Sequence, residues 1–235
     1  DYYKTCFTQI KAIKPDIHIK ALTSVEYDYL AKLHGITVEE VFSAMTSYGM
    51  ESFPGGGAEI LVESVRKKVA PQKISVNRYL EIHEVAHRLG IRSNITMLYN
   101  HIETRAHIVE HLDRIRKCQD KTGGFQTFVP LKYHSDNNAM GKRTKNHIKK
   151  DPRKIFAIAR LMLDNVRNIK VLWNYEGVSN ALKILNGGAN DFGSTATSEK
   201  IIRLAGGTTV QMNETDLAHL IRDSGKKPLK IHLDK

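Results

Sequence analysis

The sequence predicts an α/β fold: an incomplete (β/α) barrel of the TIM type, with about six βα units plus C-terminal helices. Short apolar runs of strand length alternate with longer segments in which apolar residues recur every three or four positions. Most predicted strands end in polar side chains, as in a βα-barrel active site. Because a closed barrel has about eight units, we expect an open sheet or further strands before Asp1, with residues 1–235 forming a single partial barrel domain.

Length and composition are those of a soluble globular protein. Of the 235 residues, 41% are apolar and 26% are charged, which suits a buried core with a solvated surface. No apolar run reaches the length of about 18 residues that a membrane span needs. Residues 1–20 carry charges throughout and lack the apolar segment of a signal peptide. We therefore expect a cytoplasmic protein with no membrane partner.

The chain is strongly basic, with a formal net charge of +11 at pH 7. Such a charge attracts nucleic acids and anionic small molecules. The densest basic run, GKRTKNHIKKDPRK at residues 141–154, has no interleaved aromatic side chains for stacking on bases. The pattern therefore favours solvated basic faces over a nucleic-acid partner.

Caps and breakers place the elements of the first half. Thr37 with Glu40 three residues later forms a capping box, Ser75 is a second N-cap, and Pro15 and Gly90 end helices. The predicted elements are a helix over residues 1–14, a strand over 17–22, helices over 25–33 and 37–48, a strand over 51–53, and helices over 60–69 and 75–89.

The second half repeats this alternation. Thr104 caps a helix, Gly123 and Gly124 break it, and Pro152 opens another helix at its first turn. Residues 132–150 show no apolar period and are predicted to form a long loop. The predicted elements are a strand over 93–99, a helix over 104–120, a strand over 125–131, a helix from 152, a strand over 169–173, a helix over 179–185, a short strand or turn over 189–195, and helices over 198–205 and 215–224.

Two features resemble metal or redox motifs. HEVAH at residues 83–87 matches the zinc-protease pattern HExxH. Its helix lies between two predicted strands and would pack on the sheet, which favours a structural pair of histidines over zinc ligands. Cys6 and Cys118 lack CxxC spacing, so we expect two free thiols and no disulfide or zinc site.

The polar groups at the predicted strand ends form the candidate site, since they converge on one face of a βα-barrel. The three consecutive glycines after Pro54 either let the backbone approach a ligand closely or form a flexible turn. No GxSxG, P-loop or Rossmann pattern is present. The residues predict a pocket for a polar, partly charged small molecule. They are Thr23, Glu26, Gly55, Gly56, Gly57, Glu59, Tyr99, Asn100, His101, Glu103, Lys132, Tyr133, His134, Asn174, Glu176 and Asp191.

Four segments resemble the radical S-adenosylmethionine (SAM) enzymes of the futalosine route to menaquinone. They are ESFPGGGAEILVESVRKKVAPQKIS, SNITMLYNHIET, HLDRIRKCQDKTGGFQTFVPL and ARLMLDNVRNIKVLW. The resemblance covers residues 2–228 and is strongest to the aminofutalosine synthases, while ANDFGST resembles the cyclic dehypoxanthinyl futalosine synthases. It implies a radical-SAM barrel of which this chain is the C-terminal two-thirds.

The resemblance also implies the chemistry. Enzymes of this family hold a [4Fe-4S] cluster with a CxxxCxxC motif, accept an electron from a donor, and cleave SAM to a 5′-deoxyadenosyl radical. Aminofutalosine synthases add that radical to the small-molecule substrate 3-[(1-carboxyvinyl)oxy]benzoate, with loss of bicarbonate. This sequence has no CxxxCxxC, so we expect the chain alone to be inactive. The alternatives are a cyclase or deazaflavin (FO) synthase-like member, or a non-catalytic truncated module that binds a ligand or partner.

Site residues carry over from the resemblance position by position, without a catalytic residue or a metal ligand. Asn100 stands where the family usually has Gly. Arg160 lies four residues from Asp164 on a predicted helix, so an ion pair between them is the alternative to substrate binding. The implied SAM contacts are Gly55, Gly56, Gly57, Glu59, Thr96, Tyr99, Asn100 and Glu103, and the implied substrate contacts are Glu26, His101, Arg160 and Asn174.

Overall fold

Six parallel strands form one sheet, hydrogen-bonded in the order in which they occur in the sequence. The computed structural model describes residues 1–144, 147, 149–195, 200–206 and 211–231. Each strand pairs in parallel with the next, which confirms the predicted incomplete barrel. The strands are β1 (Ile19–Lys20), β2 (Met50–Phe53), β3 (Arg92–Tyr99), β4 (Phe125–Lys132), β5 (Asn168–Leu172) and β6 (Asp191–Gly193).

Helices connect the strands and cover one face of the sheet. The helix after β3 buries Ile108 and Leu112 in the same apolar cluster as Ile95 and Met97 of that strand. The described helices are α1 (Tyr2–Ile13), α2 (Ser24–His34), α3 (Val38–Ser47), α4 (Glu63–Val69), α5 (Val76–Arg88), α6 (Arg105–Thr122), α7 (Ala139–Thr144), α8 (Pro152–Met162), α9 (Trp173–Glu176), α10 (Val178–Leu185), α11 (Ile201–Leu204) and α12 (Glu214–Asp223).

Burial alternates along β3, so the two faces of the sheet differ. Ile95, Met97 and Tyr99 point toward the helices and are fully buried. Asn94 and Thr96 lie between them on the opposite face and are only partly buried. We call this opposite face the lumen face, because in a βα-barrel it lines the interior.

Three local predictions need correction. The predicted strand over 17–22 shortens to β1, because Leu22 takes a positive φ of 60°, which an extended strand cannot continue. The predicted loop over 132–150 contains α7, where the backbone of Gly141 packs directly on that of Ser135. Trp173 opens α9 instead of ending β5. Residues 198 and 199 of the predicted helix over 198–205 lie outside the described residues.

The HEVAH histidines pack between α5 and the sheet, in agreement with the prediction of a structural pair. His83 Nδ1 and His87 Nε2 both lie within hydrogen-bond distance of Ser93 Oγ, at 2.8 and 2.9 Å. His87 Nδ1 also meets Thr122 Oγ1 at 2.8 Å. Burial lowers the pKa of His83 well below its usual value and that of His87 to about 4.

Both cysteines are free thiols, as predicted. Cys118 is buried in the main apolar cluster, whereas Cys6 is partly buried on α1. None of the helices in the described ranges combines the length and the apolar character that a membrane crossing requires.

The buried histidines predict a pH-dependent stability. Unfolded His87 takes up a proton near pH 6.5, whereas the folded ring stays neutral down to about pH 4. The free energy of unfolding should therefore fall as the pH is lowered through this window, with His87 contributing about 2 kcal/mol between pH 7 and pH 5. Urea unfolding of the protein and of His87→Gln at both pH values tests this. Equal pH dependence in the two proteins would contradict the prediction.

Candidate functional site

The turn after β3 is organised by the carboxylate of Glu103, whose side chain has no exposed surface. Its oxygens accept hydrogen bonds from the backbone N–H groups of Asn100 and His101, at 2.8 and 2.9 Å. Lys150 Nζ lies 2.8 Å from Glu103 Oε1. Burial opposes ionisation, but the Lys150 ammonium and the backbone donors outweigh it and hold the pKa of Glu103 below its usual value.

Asn100 fixes the segment that carries Lys150. Its φ is +70°, a conformation that glycine adopts freely and that asparagine tolerates better than most residues. Its side chain accepts from the Lys150 N–H at 2.7 Å and donates to the Lys150 carbonyl at 3.2 Å. The Asn100 side chain therefore ties the long β4–α8 connection to the end of β3.

The His101 ring is fully buried within the same turn. Its Nδ1 accepts from the Ile102 N–H at 2.7 Å and its Nε2 lies 2.9 Å from the Leu98 carbonyl, which assigns the neutral form with the proton on Nε2. Burial lowers the pKa of this ring despite the nearby Glu103. Both nitrogens of this predicted substrate contact are thus used to build the turn.

The glycine loop, residues 54–57, packs backbone against backbone on β3. A Cβ on Gly55 would lie 2.5 Å from the Asn94 carbonyl oxygen and from Ile95 Cα, so only glycine fits. The Gly55 carbonyl accepts from the hydroxyls of Thr96 at 2.7 Å and Tyr79 at 2.6 Å. This contact joins two groups of predicted SAM contacts, the glycines and Thr96.

Arg66 holds the next part of the loop from behind. The guanidinium is 1% exposed and donates from Nη1 to the carbonyls of Gly57 and Ala58 and from Nε to the Ile74 carbonyl. Within the described part of the chain, the amides of Gly56 and Gly57 have no hydrogen-bond acceptor. A loop with bound carbonyls and free amides can donate hydrogen bonds to oxygen atoms of a ligand.

Two predicted contacts have local structural partners. Glu59 has a φ of +47°, pairs with Lys73, and accepts from the Leu98 N–H at 2.7 Å through its backbone carbonyl. The exposed Glu26 accepts from the N–H and hydroxyl of Thr23, at 2.7 and 2.8 Å, and so completes the capping box of α2.

Unpartnered buried oxygens follow β5. Tyr99 donates its hydroxyl to Glu176 Oε1. Glu176 Oε2 and Asn174 Oδ1 are buried and lack a hydrogen-bond partner among the described residues. Burial raises the pKa of Glu176, although Tyr99 and Lys132 oppose this. Unused acceptors next to the carboxyl edge can receive hydrogen bonds from hydroxyl or amino groups of a ligand.

A cavity of about 480 Å³ lies beside the turn that Asn100 forms. Its wall includes Lys132, Lys149 and His134. His134 Nε2 lies 3.0 Å from the Tyr175 carbonyl, and Tyr133 donates its hydroxyl to the side chain of Asn138. The polar residues that the sequence predicts after β4, namely Lys132, Tyr133 and His134, thus line a polar cavity.

Arg160 does not join the other predicted contacts. Its Nε donates to the Gly188 carbonyl at 2.9 Å and its Nη2 to Asn190 Oδ1 at 2.8 Å. Both acceptors precede β6, so Arg160 lies at the amino edge of the sheet, opposite the candidate site. The expected ion pair with Asp164 is also wrong, since Asp164 pairs with Arg116.

Known proteins are similar in sequence to this chain over nearly its whole length. A family model described as the CofH/MqnC C-terminal region matches residues 122–232. The chain is 38% identical to the aminodeoxyfutalosine synthase of Thermus thermophilus and 40% identical to the cyclic dehypoxanthine futalosine synthase of Streptomyces coelicolor. It is 36% identical to the 5-amino-6-(D-ribitylamino)uracil–L-tyrosine 4-hydroxyphenyl transferase of Archaeoglobus fulgidus. These matches cover 97% of the chain and 63%, 57% and 67% of the three relatives.

The chain belongs to this family of radical SAM enzymes. Solved structures agree in fold. Methylornithine synthase (PylB) superposes with a TM-score of 0.62 at 15% identity, covering 82% of this chain and 56% of that protein. HydG, a maturase of the [FeFe]-hydrogenase, gives 0.59 at 14% identity, covering 89% of this chain and 43% of that one. The chain therefore represents part of the length of these radical SAM proteins.

The residues present do not fit the radical SAM cluster. No CxxxCxxC occurs in the sequence. Burial raises the pKa of the Cys118 thiol to about 12, which disfavours the thiolate that iron binds. Across the ranges that the structure describes, no group of three or more Cys, His, Asp or Glu could hold a metal ion.

Sequence reasoning missed two residues that shape the candidate site. Arg66 lies in a run of basic residues on a helix, and nothing in that run marks the one guanidinium that turns inward. Lys150 closes the basic loop and pairs with Glu103 from 47 residues away in the sequence, a contact that only the fold reveals.

The contact between Gly55 and β3 predicts a position-specific effect of alanine. Gly55→Ala forces a Cβ to within 2.5 Å of two backbone atoms, so we expect a destabilisation of about 1–3 kcal/mol. Gly187→Ala is the control, because the nearest atom to its Cβ is 3.5 Å away. Thermal unfolding of both variants checks this. Equal effects at the two positions would show that the loop is free to move off the strand.

Proposed function

We propose that the protein of which this chain is part is an aminofutalosine-forming radical SAM transferase of menaquinone biosynthesis. It would break the C5′–S bond of SAM, releasing methionine, join the 5′-deoxyadenosyl group to the enol-ether double bond of 3-[(1-carboxyvinyl)oxy]benzoate, and with uptake of water release a carboxylate as bicarbonate. The similarity over 97% of the chain to two aminodeoxyfutalosine synthases, at 38% and 35% identity, supports this reaction. The observation that carries the proposal is the glycine loop, whose carbonyls are held from behind while two amides remain free.

Each part of the site has a role in this proposal. The amides of Gly56 and Gly57 would donate to oxygen atoms of SAM, with Thr96 keeping the loop on β3. Asn174 Oδ1 and Glu176 Oε2 would accept from hydroxyl or amino groups, which relieves two buried unpartnered oxygens. SAM supplies the 5′-deoxyadenosyl group when bound. The cluster and its electron donor would act through residues other than those described.

The second candidate is cyclic dehypoxanthine futalosine synthesis. The family model that matches the chain carries the description CofH/MqnC, and the Streptomyces coelicolor cyclase is 40% identical over 228 residues. The two reactions differ in substrate, so one assay separates them.

The test uses the protein with its native upstream residues, purified without oxygen, reconstituted with iron and sulfide, and supplied with SAM and a reductant. Mass spectrometry should detect aminofutalosine only when 3-[(1-carboxyvinyl)oxy]benzoate is added. Turnover of dehypoxanthine futalosine instead would favour the cyclase. Turnover of neither substrate would reject both assignments.

The resemblance placed Asn174 among the substrate contacts, but its unpartnered Oδ1 needs a hydrogen-bond donor, which SAM carries and the ionised 3-[(1-carboxyvinyl)oxy]benzoate lacks. Asn174→Ala should therefore raise the KM for SAM about fivefold to tenfold, the effect of one lost hydrogen bond. The matched control is Asn186→Ala on the exposed end of α10, which should leave KM unchanged. An unchanged KM in Asn174→Ala would remove this residue from the proposed SAM site.

A further inference from the structure

The turn after β3 brings two consecutive lysines of the β4–α8 connection to one place. Lys149 Nζ donates to the Asn100 carbonyl at 3.3 Å, and Lys150 Nζ lies 2.8 Å from Glu103 Oε1. The same Glu103 oxygen accepts from the Asn100 N–H at 2.8 Å. Both ammonium groups therefore lie against a single turn, and direct contacts with that turn hold them there.

A third lysine, Lys132, stands beside the same turn on the neighbouring strand. It is the last residue of β4 and lies opposite Tyr99 in the parallel register, one residue before Asn100. The Tyr133 N–H donates to the Tyr99 carbonyl at 2.8 Å, which fixes the end of β4 next to the turn. Since neighbouring strands are about 4.8 Å apart, the backbone of Lys132 lies within one strand spacing of the end of β3.

These three lysines line one cavity. Its volume of about 480 Å³ lies within the range of small-molecule sites, roughly 300–1,000 Å³. Tyr133, Pro152 and Ala205 add apolar surface to its wall, which suits an aromatic ring. Asn180, another wall residue, donates to the Glu176 carbonyl at 3.2 Å. The cavity therefore borders α9, the element that carries the unpartnered oxygens assigned to SAM.

Most of the positive charge on the cavity wall lacks a matching carboxylate. Among the described residues, Lys150 pairs with Glu103, whereas no ion pair involves Lys149, Lys132 or Lys183, which also lines the cavity. An ammonium group has three N–H donors, and Lys149 and Lys150 each meet one acceptor at the turn. A carboxylate in the cavity would accept charge-assisted hydrogen bonds from the remaining donors.

The other ionisable groups of the wall do not cancel this charge. Asp151 caps α8 by accepting from the Arg153 N–H and pairs with the Arg153 side chain at 2.8 Å. Asp136 is exposed to solvent, which screens its charge. Burial and the nearby Lys132 lower the pKa of His134, so this ring is neutral at pH 7. The described part of the wall thus keeps a net positive charge that attracts anions.

We propose that this cavity is a carboxylate-binding site in which Lys149 and Lys150 hold an anionic end of the aromatic substrate, with Lys132 on the adjacent strand. The identity of the ligand rests on the proposed function, whose substrate carries two carboxylates on an aromatic frame. The methionyl end of SAM also carries a carboxylate, and the experiment separates the two sources. Asn100 keeps the lysines at the turn, because its side chain bonds to the Lys150 backbone.

The test measures the binding of 3-(carboxymethoxy)benzoate, a stable analogue of the substrate, and of its neutral diamide by isothermal titration calorimetry. The protein carries its native upstream residues. The dianion should bind at least about tenfold more tightly than the diamide, and added L-methionine should leave that affinity unchanged. Equal binding of dianion and diamide would overturn the proposal. Competition by methionine would assign the cavity to SAM and overturn its assignment to the substrate.

Lys149→Met distinguishes this site from the general attraction of a basic chain for anions. Lys149 is exposed, and its acceptor at the turn is a carbonyl that water can serve, so the fold should persist. Affinity for the dianion should fall about tenfold, the effect of one charge-assisted hydrogen bond. The matched control is Lys142→Met, an exposed lysine of α7 in the same connection, which should leave affinity unchanged. Equal losses in the two variants would contradict the proposal.

A further variant separates binding from folding. Lys149→Arg keeps the charge and the donors, and should keep the preference for the dianion. A purely structural role predicts that Lys149→Met lowers the midpoint of thermal unfolding without ligand and leaves the ratio of dianion to diamide affinity unchanged, which would reject the site. Lys150 is not substituted, because its loss would leave the buried Glu103 carboxylate unpaired.

The outcome is independent of the assay for aminofutalosine. If the enzyme forms aminofutalosine but Lys149→Met leaves the KM for 3-[(1-carboxyvinyl)oxy]benzoate unchanged, the carboxylate site is wrong and the function stands. If the preference for the dianion depends on Lys149 but no aminofutalosine forms, the carboxylate site stands and the proposed function fails.

Discussion

The contact of the Gly55 backbone with β3 is the constraint on which the candidate site depends. After β2 the chain passes against the backbone of Asn94 and Ile95 in β3, where no space is left for a side chain. Hydroxyls from a strand and from a helix, those of Thr96 and Tyr79, converge on the one carbonyl that results. With that peptide fixed and the next carbonyls bound by Arg66, the remaining amides are the polar groups that the loop can offer to a ligand.

Arg66 illustrates what this arrangement requires. A guanidinium that is 1% exposed loses most of its hydration, which is costly unless its donors find acceptors. Carbonyls from the loop and from Ile74 provide acceptors for Nη1 and Nε, whereas Nη2 is buried without an acceptor among the described residues. The Tyr79 ring lies 5.6 Å from the guanidinium carbon as a cation–π partner. One buried cation thus binds two carbonyls of the loop region and joins them to the segment before α5.

The sequence predicted the parts of the fold that depend on local chemistry. The Thr37–Glu40 capping box and the Thr104 and Ser75 caps are present as expected, and the strand order follows from regular alternation. It did not predict which polar groups the protein itself consumes. Asn100 bonds to Lys150, and Arg160 bonds to Gly188 and Asn190, across distances in sequence that no local pattern encodes.

This division explains why the predicted strand ends cluster at one edge of the sheet, whereas the sequence overstates how many of their polar groups are available to a ligand. The side chains of Glu103, His101 and Glu26 each accept a hydrogen bond from a backbone N–H group nearby in the sequence. The groups that remain uncommitted are the backbone amides of the glycine loop and the unpartnered oxygens after β5. Amides donate hydrogen bonds to oxygen atoms and anions, whereas buried unpartnered oxygens need donors. A ligand that satisfies both must carry acceptor oxygens together with hydroxyl or amino donors, which is the chemistry of the adenosyl cofactor in the proposed function.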